Sequence, residues 1–179
     1  MEAPEFSRAI DVADIPPAGL VEDIAATLEE RAALARRFGL LSLDRLDARL
    51  TIKALHGDLF RVEGDLVAEA TQRCVVSLEP VPARLAVPLV ATFVKASRRD
   101  ALEVHLDGAG EEDDPEPLAD GRIDLGETVA QHLALALDPY PRKPGVDIGQ
   151  VIGAVAEETH EEPTSSPFSK LSEFKKKFT

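Results

Sequence analysis

Between Ala48 and Val94 the chain alternates apolar and polar residues more strictly than anywhere else, and that alternation limits what it can fold into. Phe60, Val62, Leu66 and Ala68 fall on one side of an extended backbone; Arg61, Glu63, Asp65 and Glu69 fall on the other. A period of two marks a strand with one face buried and one in water. Leu50, Ile52 and Ala54 alternate with Arg49, Thr51 and Lys53, so a preceding strand runs to about Leu55. His56-Gly57-Asp58 supplies a turn, with glycine available for positive φ, and the strand from Leu59 returns antiparallel. Gly64 interrupts the inward face, which marks a bulge or a close backbone approach. Residues 72–80 either turn between strands or carry a short one. Beyond them Ala83, Leu85, Val87, Leu89, Ala91 and Phe93 share a face, and Pro88 favours an edge strand or a bulge.

The flanks read differently. Phe6 to Val12 is a candidate first strand, ended by Pro16-Pro17. From Gly19 to Phe38 the period becomes helical: Val21, Ile24, Ala25, Leu28, Ala32, Ala35 and Phe38 form a stripe. Glu22 and Asp23 near the start and Arg36-Arg37 near the end suit the helix dipole, and Gly39 suits a left-handed C-terminal cap. Ser42 to Asp47 is expected to connect this helix to the sheet. A short strand is expected at Leu102–Leu106, after the basic stretch Lys95–Arg99. Residues 107–120 carry Asp107, Glu111, Glu112, Asp113, Asp114, Glu116 and Asp120 without one basic residue, and self-repulsion predicts a mobile loop. Asp124 is an N-cap candidate with Glu127 three places on, opening a helix over 125–137 that Pro139 closes. After the proline-stiffened Tyr140–Gly145 and a linker, Ser166-Pro167-Phe168 opens a short amphipathic helix ending in Lys175–Lys177.

Composition narrows the chemistry. Apolar residues make up 44% of the chain but aromatics only 4%, so the core is aliphatic. One cysteine excludes an internal disulfide and any multi-cysteine zinc site, and it suits a reducing compartment. The N-terminus has no apolar segment of a secretory signal, and no run approaches the ~20 apolar residues of a membrane helix. A cytoplasmic protein is expected. The net charge of −13 argues against a dedicated polyanion binder but leaves room for a local contact. Cys74 reads as a buried small hydrophobe rather than a nucleophile. His56, His105, His132 and His160 are scattered without ligand spacing, and phosphate-loop, dinucleotide and hydrolase-elbow motifs are all missing. No metal, cofactor or small-molecule substrate is expected, and the residues alone point to a non-catalytic binding module.

Four segments taken together carry a family resemblance: ATLEERAALARRFGLLSLDRLDARL (26–50), VEGDLVAEATQRCVVSLEPV (62–81), DGRIDLGETVAQHLALALDPYPRKPG (120–145) and SPFSKLSEFKKK (166–177). In this order and spacing they resemble the YceD family of large ribosomal RNA subunit accumulation proteins, in an alphaproteobacterial-type variant. The resemblance implies a role in accumulation of large-subunit ribosomal RNA and carries over no catalytic residue. Many members of that family have a CxxC at the turn matching Cys74 and a second cysteine cluster after the helix. Here those places read Cys74-Val75-Val76-Ser77 and Pro141-Arg142-Lys143-Pro144, so both pairs are broken. The resemblance then implies that the two segments lie side by side, with packing in place of a metal clasp.

The expected architecture is α+β. An antiparallel sheet of about five strands, open or curled toward a barrel, carries helices at 19–38 and 125–137. One domain is expected over residues 1–145, with 146–179 as linker and amphipathic tail. The expected function is a non-enzymatic factor that binds pre-ribosomal RNA or a ribosome-assembly protein, away from membranes. The other reading is an adaptor without RNA contact, docking through the tail helix; an enzyme using Cys74 comes third. The candidate contact residues are Arg73, Tyr140, Arg142, Lys143, Phe168, Leu171, Phe174, Lys175, Lys176 and Lys177.

Overall fold

The computed structural model describes residues 4–56, 58–95, 115–118, 120–146 and 149. The chain divides into two compact units, residues 1–143 and residues 144–179. The first holds β1 (Ala9–Asp11), β2 (Leu20–Ala25), α1 (Leu28–Phe38), β3 (Ser42–Ala54), β4 (Leu59–Arg73), β5 (Pro80–Val94), β6 (Glu116–Pro117), β7 (Arg122–Asp124) and α2 (Leu125–Ala136). The main sheet has the order β2-β3-β4-β5-β6, and β1 pairs with β7 apart from it. The sheet is α+β in setting and open: among the described residues β2 and β6 do not meet.

The alternating stretch folds as the pattern demands. Leu50, Ile52, Val62, Leu66, Ala68 and Leu89 are fully buried on one face, against α1 on β3 and α2 on β5 and β4. Gly64 is a point of close approach: a Cβ there would overlap the Arg49 carbonyl oxygen. The register irregularity lies elsewhere, between Leu43 and Arg45. The turn at the end of β3 takes its positive φ at Asp58, φ 60°; Gly57 lies outside the described residues.

β5 is an edge strand over most of its length, joined by β6 only at Phe93 and Val94. The His132 Nε2 lies 3.3 Å from Val90 O, and the Leu118 N–H donates to Val94 O at 2.8 Å. Even-numbered residues of β5 therefore aim their backbone groups away from β4. Pro80, Pro82 and Pro88 all fall at such positions. Their missing N–H groups cost the β4 ladder nothing and leave the free edge short of donors, which discourages another strand from pairing there.

Several expectations change. The helix expected from Gly19 is two elements: Leu20–Ala25 pairs antiparallel with β3, and α1 begins only at Leu28. The apolar stripe that suggested one helix is not buried as one, since Val21 is 52% and Leu28 74% exposed. What sets the boundary is a capping box. Thr27 accepts from the Glu30 N–H, and the Glu30 carboxylate accepts from the Thr27 N–H. The acids on the helix dipole are therefore Glu29 and Glu30, while Arg36, Arg37 and the Gly39 cap, φ 66°, stand as expected.

Ser42 to Asp47 is the first half of β3 rather than a connector. The bulge lets Leu43 and Leu46 both face inward, which breaks strict alternation. The first strand is only Ala9–Asp11, followed by a 3-10 turn at Val12–Asp14. The acidic stretch is anchored at its end: β6 runs parallel to β5, and Leu118 is buried. The strand expected at Leu102–Leu106 and the tail helix at 166–178 lie outside the described residues.

The N-terminal segment is strapped to α2 through one carboxylate. Asp124 Oδ1 accepts from the N–H groups of Gly126 and Glu127, capping the helix, and from Arg8 N–H at 2.8 Å; Oδ2 accepts the Ser7 hydroxyl at 2.6 Å. Glu127 does not close a capping box. It holds Arg37 in a bidentate pair at 2.7 and 2.9 Å, with Glu5 as a third member. Arg8 grips Glu30 in the same way, and that contact holds the Glu30 carboxyl below its usual range.

Two substitutions test these assignments by denaturant unfolding. Gly64→Ala forces the β3–β4 pair apart and is expected to destabilise by about 1–3 kcal/mol. Thr27→Ala removes the cap that separates β2 from α1 and is expected to cost about 1 kcal/mol.

Candidate partner-binding site

β4 and β5 run past the helices and are joined by the turn 74–79. The turn closes on itself through Cys74 N–H to Glu79 O at 2.8 Å and Leu78 N–H to Cys74 O at 3.0 Å. The Cys74 side chain is fully buried inside it. Its Sγ lies 3.4 Å from Val76 N, 3.3 Å from Ser77 N and 3.4 Å from Lys143 N, all three aimed at the sulfur. Hydrogen bonding from the Ser77 side chain and N–H, and from Lys143 N–H, outweighs desolvation and pulls the thiol down to about 6.

Lys143 belongs to the segment that leaves α2, and this segment lies along the turn. Val75 N–H donates to Pro141 O at 2.9 Å, Gln72 Nε2 to Asp138 O at 2.8 Å, and Lys143 Nζ to Glu79 at 2.9 Å. Pro141 is buried in the junction. The two segments expected to lie side by side do so. Backbone-to-sulfur and backbone-to-backbone bonds join them, and among the described residues no group of three or more His, Cys, Asp or Glu side chains gathers to hold a metal.

Of the candidate contact residues, Arg73, Tyr140, Arg142 and Lys143 come together at this end of the sheet. Arg73, Arg142 and the 70%-exposed Tyr140 project to solvent, and neither arginine makes an ion pair among the described residues. Lys143 is engaged with Glu79. Phe168, Leu171, Phe174, Lys175, Lys176 and Lys177 lie outside the described residues. Sequence reasoning missed the apolar part of the same surface: Val75, Leu78, Leu41 and Leu135 are all exposed here. Leu78 carried a signal only in retrospect, because its φ of 63° is a backbone conformation that leucine avoids.

The outer face of the sheet is the obvious rival surface, and its charges cancel. Arg49 faces Asp23, Arg61 pairs with Glu63, Arg84 faces Glu69, and Arg45 meets Asp47. A face so neutralised offers little to a polyanion.

A family model described as large ribosomal RNA subunit accumulation protein YceD matches residues 62–175, well over half of the chain. The chain belongs to the YceD family. No curated protein and no solved structure matches it. The YceD match begins inside β4, so β1, β2, α1 and β3 lie ahead of it and are tied to it by the β3–β4 register. Within the match, the Ile123–Glu127 run serves the fold: Ile123 and Leu125 are buried, Asp124 and Glu127 make the strap, and a Cβ on Gly126 would sit 2.5 Å from Phe6 O. Among the described residues no helix is long and apolar enough to cross a membrane.

The sulfur contacts give a measurable signature. Cys74→Ala leaves the donors at Val76, Ser77 and Lys143 without their acceptor, whereas Cys74→Ser keeps one, so the alanine variant is expected to unfold at lower denaturant. A thiol depressed in the folded state stabilises it fully above the unfolded thiol's pKa and loses that contribution as pH falls through about 6. Wild type is therefore expected to gain stability over Cys74→Ser between roughly pH 6 and 9; a difference independent of pH in that window would contradict the assignment.

Proposed function

We propose that this chain supports accumulation of large-subunit ribosomal RNA as a non-enzymatic, cytoplasmic binding factor, and that it contacts the pre-ribosomal particle through the end formed by the turn 74–79 and the segment 138–143. Membership of the YceD family supports the cellular role. The contact face is supported by one contrast. Arg8, Arg37, Arg45, Arg49, Arg61 and Arg84 are paired with carboxylates, whereas among the described residues Arg73 and Arg142 have no ion pair and stand at the same end as exposed Tyr140. Unpaired guanidiniums next to an aromatic ring are the side chains that carry contact energy at macromolecular surfaces.

The chemistry of this end supports binding rather than turnover. Cys74 is lowered toward thiolate, but its sulfur is buried and occupied by backbone donors. Among the described residues no histidine or carboxylate is within hydrogen-bonding distance of it. A nucleophile needs both access and a base. A second reading, an adaptor without RNA contact, is favoured by the exposed aliphatic residues Val75, Leu78 and Leu135.

Arg73→Ala combined with Arg142→Ala tests the face. The double variant is expected to fold normally, because both residues are exposed, and to lose roughly tenfold in association with precursor large subunits on gradient sedimentation. Large-subunit ribosomal RNA is expected to fall in cells relying on it. Unchanged sedimentation together with unchanged ribosomal RNA would rule this face out.

A further inference from the structure

Beside the exposed arginines lies a groove of about 340 Å³ of mixed character, apolar at Phe38, Leu137 and Pro141 and polar at Gln72, Arg73 and Asp138. α1 ends at Phe38 and α2 at Ala136, so both helices point their C-terminal ends toward it. Helix C-termini carry partial negative charge, and Asp138, which also lines the groove, adds a carboxylate. The groove therefore disfavours any anion seated within it, carboxylate as much as phosphate, and leaves its apolar wall to an apolar group. Leu41, Leu135 and Tyr140 are sequence neighbours of its lining residues and Val75 bonds to Pro141, and these with Leu78 are half of the large exposed hydrophobic residues of the described chain.

Leu78 is the most telling of these. It is 62% exposed and sits at φ 63°, so neither burial nor backbone preference accounts for a leucine there. Glycine would adopt that conformation more easily. A side chain kept against the interest of the free fold has its use outside the free fold. Aliphatic side chains add nothing to phosphate contact and little to base stacking, whereas leucine, tyrosine and arginine together make the apolar core and rim of a protein interface.

The rim sets the sign of the partner. Among the described residues Arg73 and Arg142 have no carboxylate of their own, nor does exposed Arg36 in the last turn of α1, while Lys143 is already neutralised by Glu79. Unsatisfied guanidiniums around a groove with an apolar wall match carboxylates that flank an apolar anchor. We propose that this end docks an acidic amphipathic segment of a protein partner, with one apolar side chain seated in the groove and neighbouring carboxylates on Arg73 and Arg142. The inference rests on the reading of this end as the contact face and goes further by naming what the face takes.

The test uses the full chain in cells whose large-subunit ribosomal RNA depends on it, with p-benzoylphenylalanine in place of Tyr140 as photocrosslinker. The expected adduct resists ribonuclease, and its crosslinked peptide holds an apolar residue flanked by Asp or Glu. Arg73→Glu with Arg142→Glu is expected to cut adduct yield at least tenfold. Leu78→Gly is expected to raise the thermal midpoint of the purified protein while lowering the adduct, which a purely structural leucine would not do. A ribonuclease-sensitive adduct, a basic or polar peptide, no adduct, or a yield indifferent to charge reversal would overturn the proposal. Ribosomal RNA levels separate the two failures. If the charge-reversed variant lowers ribosomal RNA but the adduct is RNA, the face stands and the protein partner falls. If ribosomal RNA is normal and no adduct forms, both fall.

Discussion

Every residue of β4 from Leu59 to Arg73 is paired with β5, from Leu59 opposite Val94 to Arg73 opposite Pro80, without a bulge. That uninterrupted ladder is the constraint on which the binding end depends. A one-residue slip would turn Val62, Leu66 and Ala68 out of the core, so burial locks the register along the whole hairpin. The ladder's length then decides where the chain can reverse. Fifteen residues of strand span about 50 Å at ~3.3 Å each, whereas the twelve residues of α2 cover about 18 Å at 1.5 Å each. The hairpin must outrun the helix that packs on it, and the segment leaving α2 is the covering for the overhang.

The junction between turn and segment shows how a clasp can be made without a metal. Cys74 sits where a sulfur accepts backbone N–H groups from two and three residues ahead, and the third donor comes from Lys143 across the junction. Charge on sulfur strengthens all three bonds at once. The Ser77 side chain contributes most and these backbone bonds add to it, so the buried thiol moves toward thiolate instead of away from it. The bond from Val75 N–H to Pro141 O and the Lys143–Glu79 pair add two further stitches. With the junction closed from within, the side chains left pointing outward are free of structural duty.

How much of this was legible in the sequence depended on whether the signal was local. The β3–β4–β5 meander, the Gly64 approach, the Gly39 cap and the Asp124 cap could all be read, because each rests on period or on one residue's own geometry. The β2–α1 boundary could not. Val21, Ile24, Ala25 and Leu28 match a helical stripe by coincidence, and the Thr27–Glu30 box within the run was overlooked in favour of the longer pattern. The first half of β3 was hidden by its bulge, which puts Leu43 and Leu46 on one face at a spacing foreign to a regular strand. At the candidate site Arg73, Tyr140 and Arg142 could be named, but the groove is non-local: Phe38, Arg73 and Pro141 meet only after the sheet and both helices have formed.

The segments most useful for recognising the family turn out to divide by role. Ile123 to Glu127 is consumed by the fold: each member is buried, capping, strapped, or pressed against the Phe6 backbone. Cys74 and Pro141 are likewise consumed by the junction. Residues with such duties would be kept whatever the protein did, so they identify it without explaining it. Leu78, Tyr140, Arg73 and Arg142 stand apart, since all four side chains are exposed. Among the described residues Arg36, Arg73 and Arg142 have no ion pair at this end, and the leucine and tyrosine exposed near them form apolar surface that is costly for solubility. A partner that covered the surface would remove that cost, and the guanidiniums would suit one that brings carboxylates.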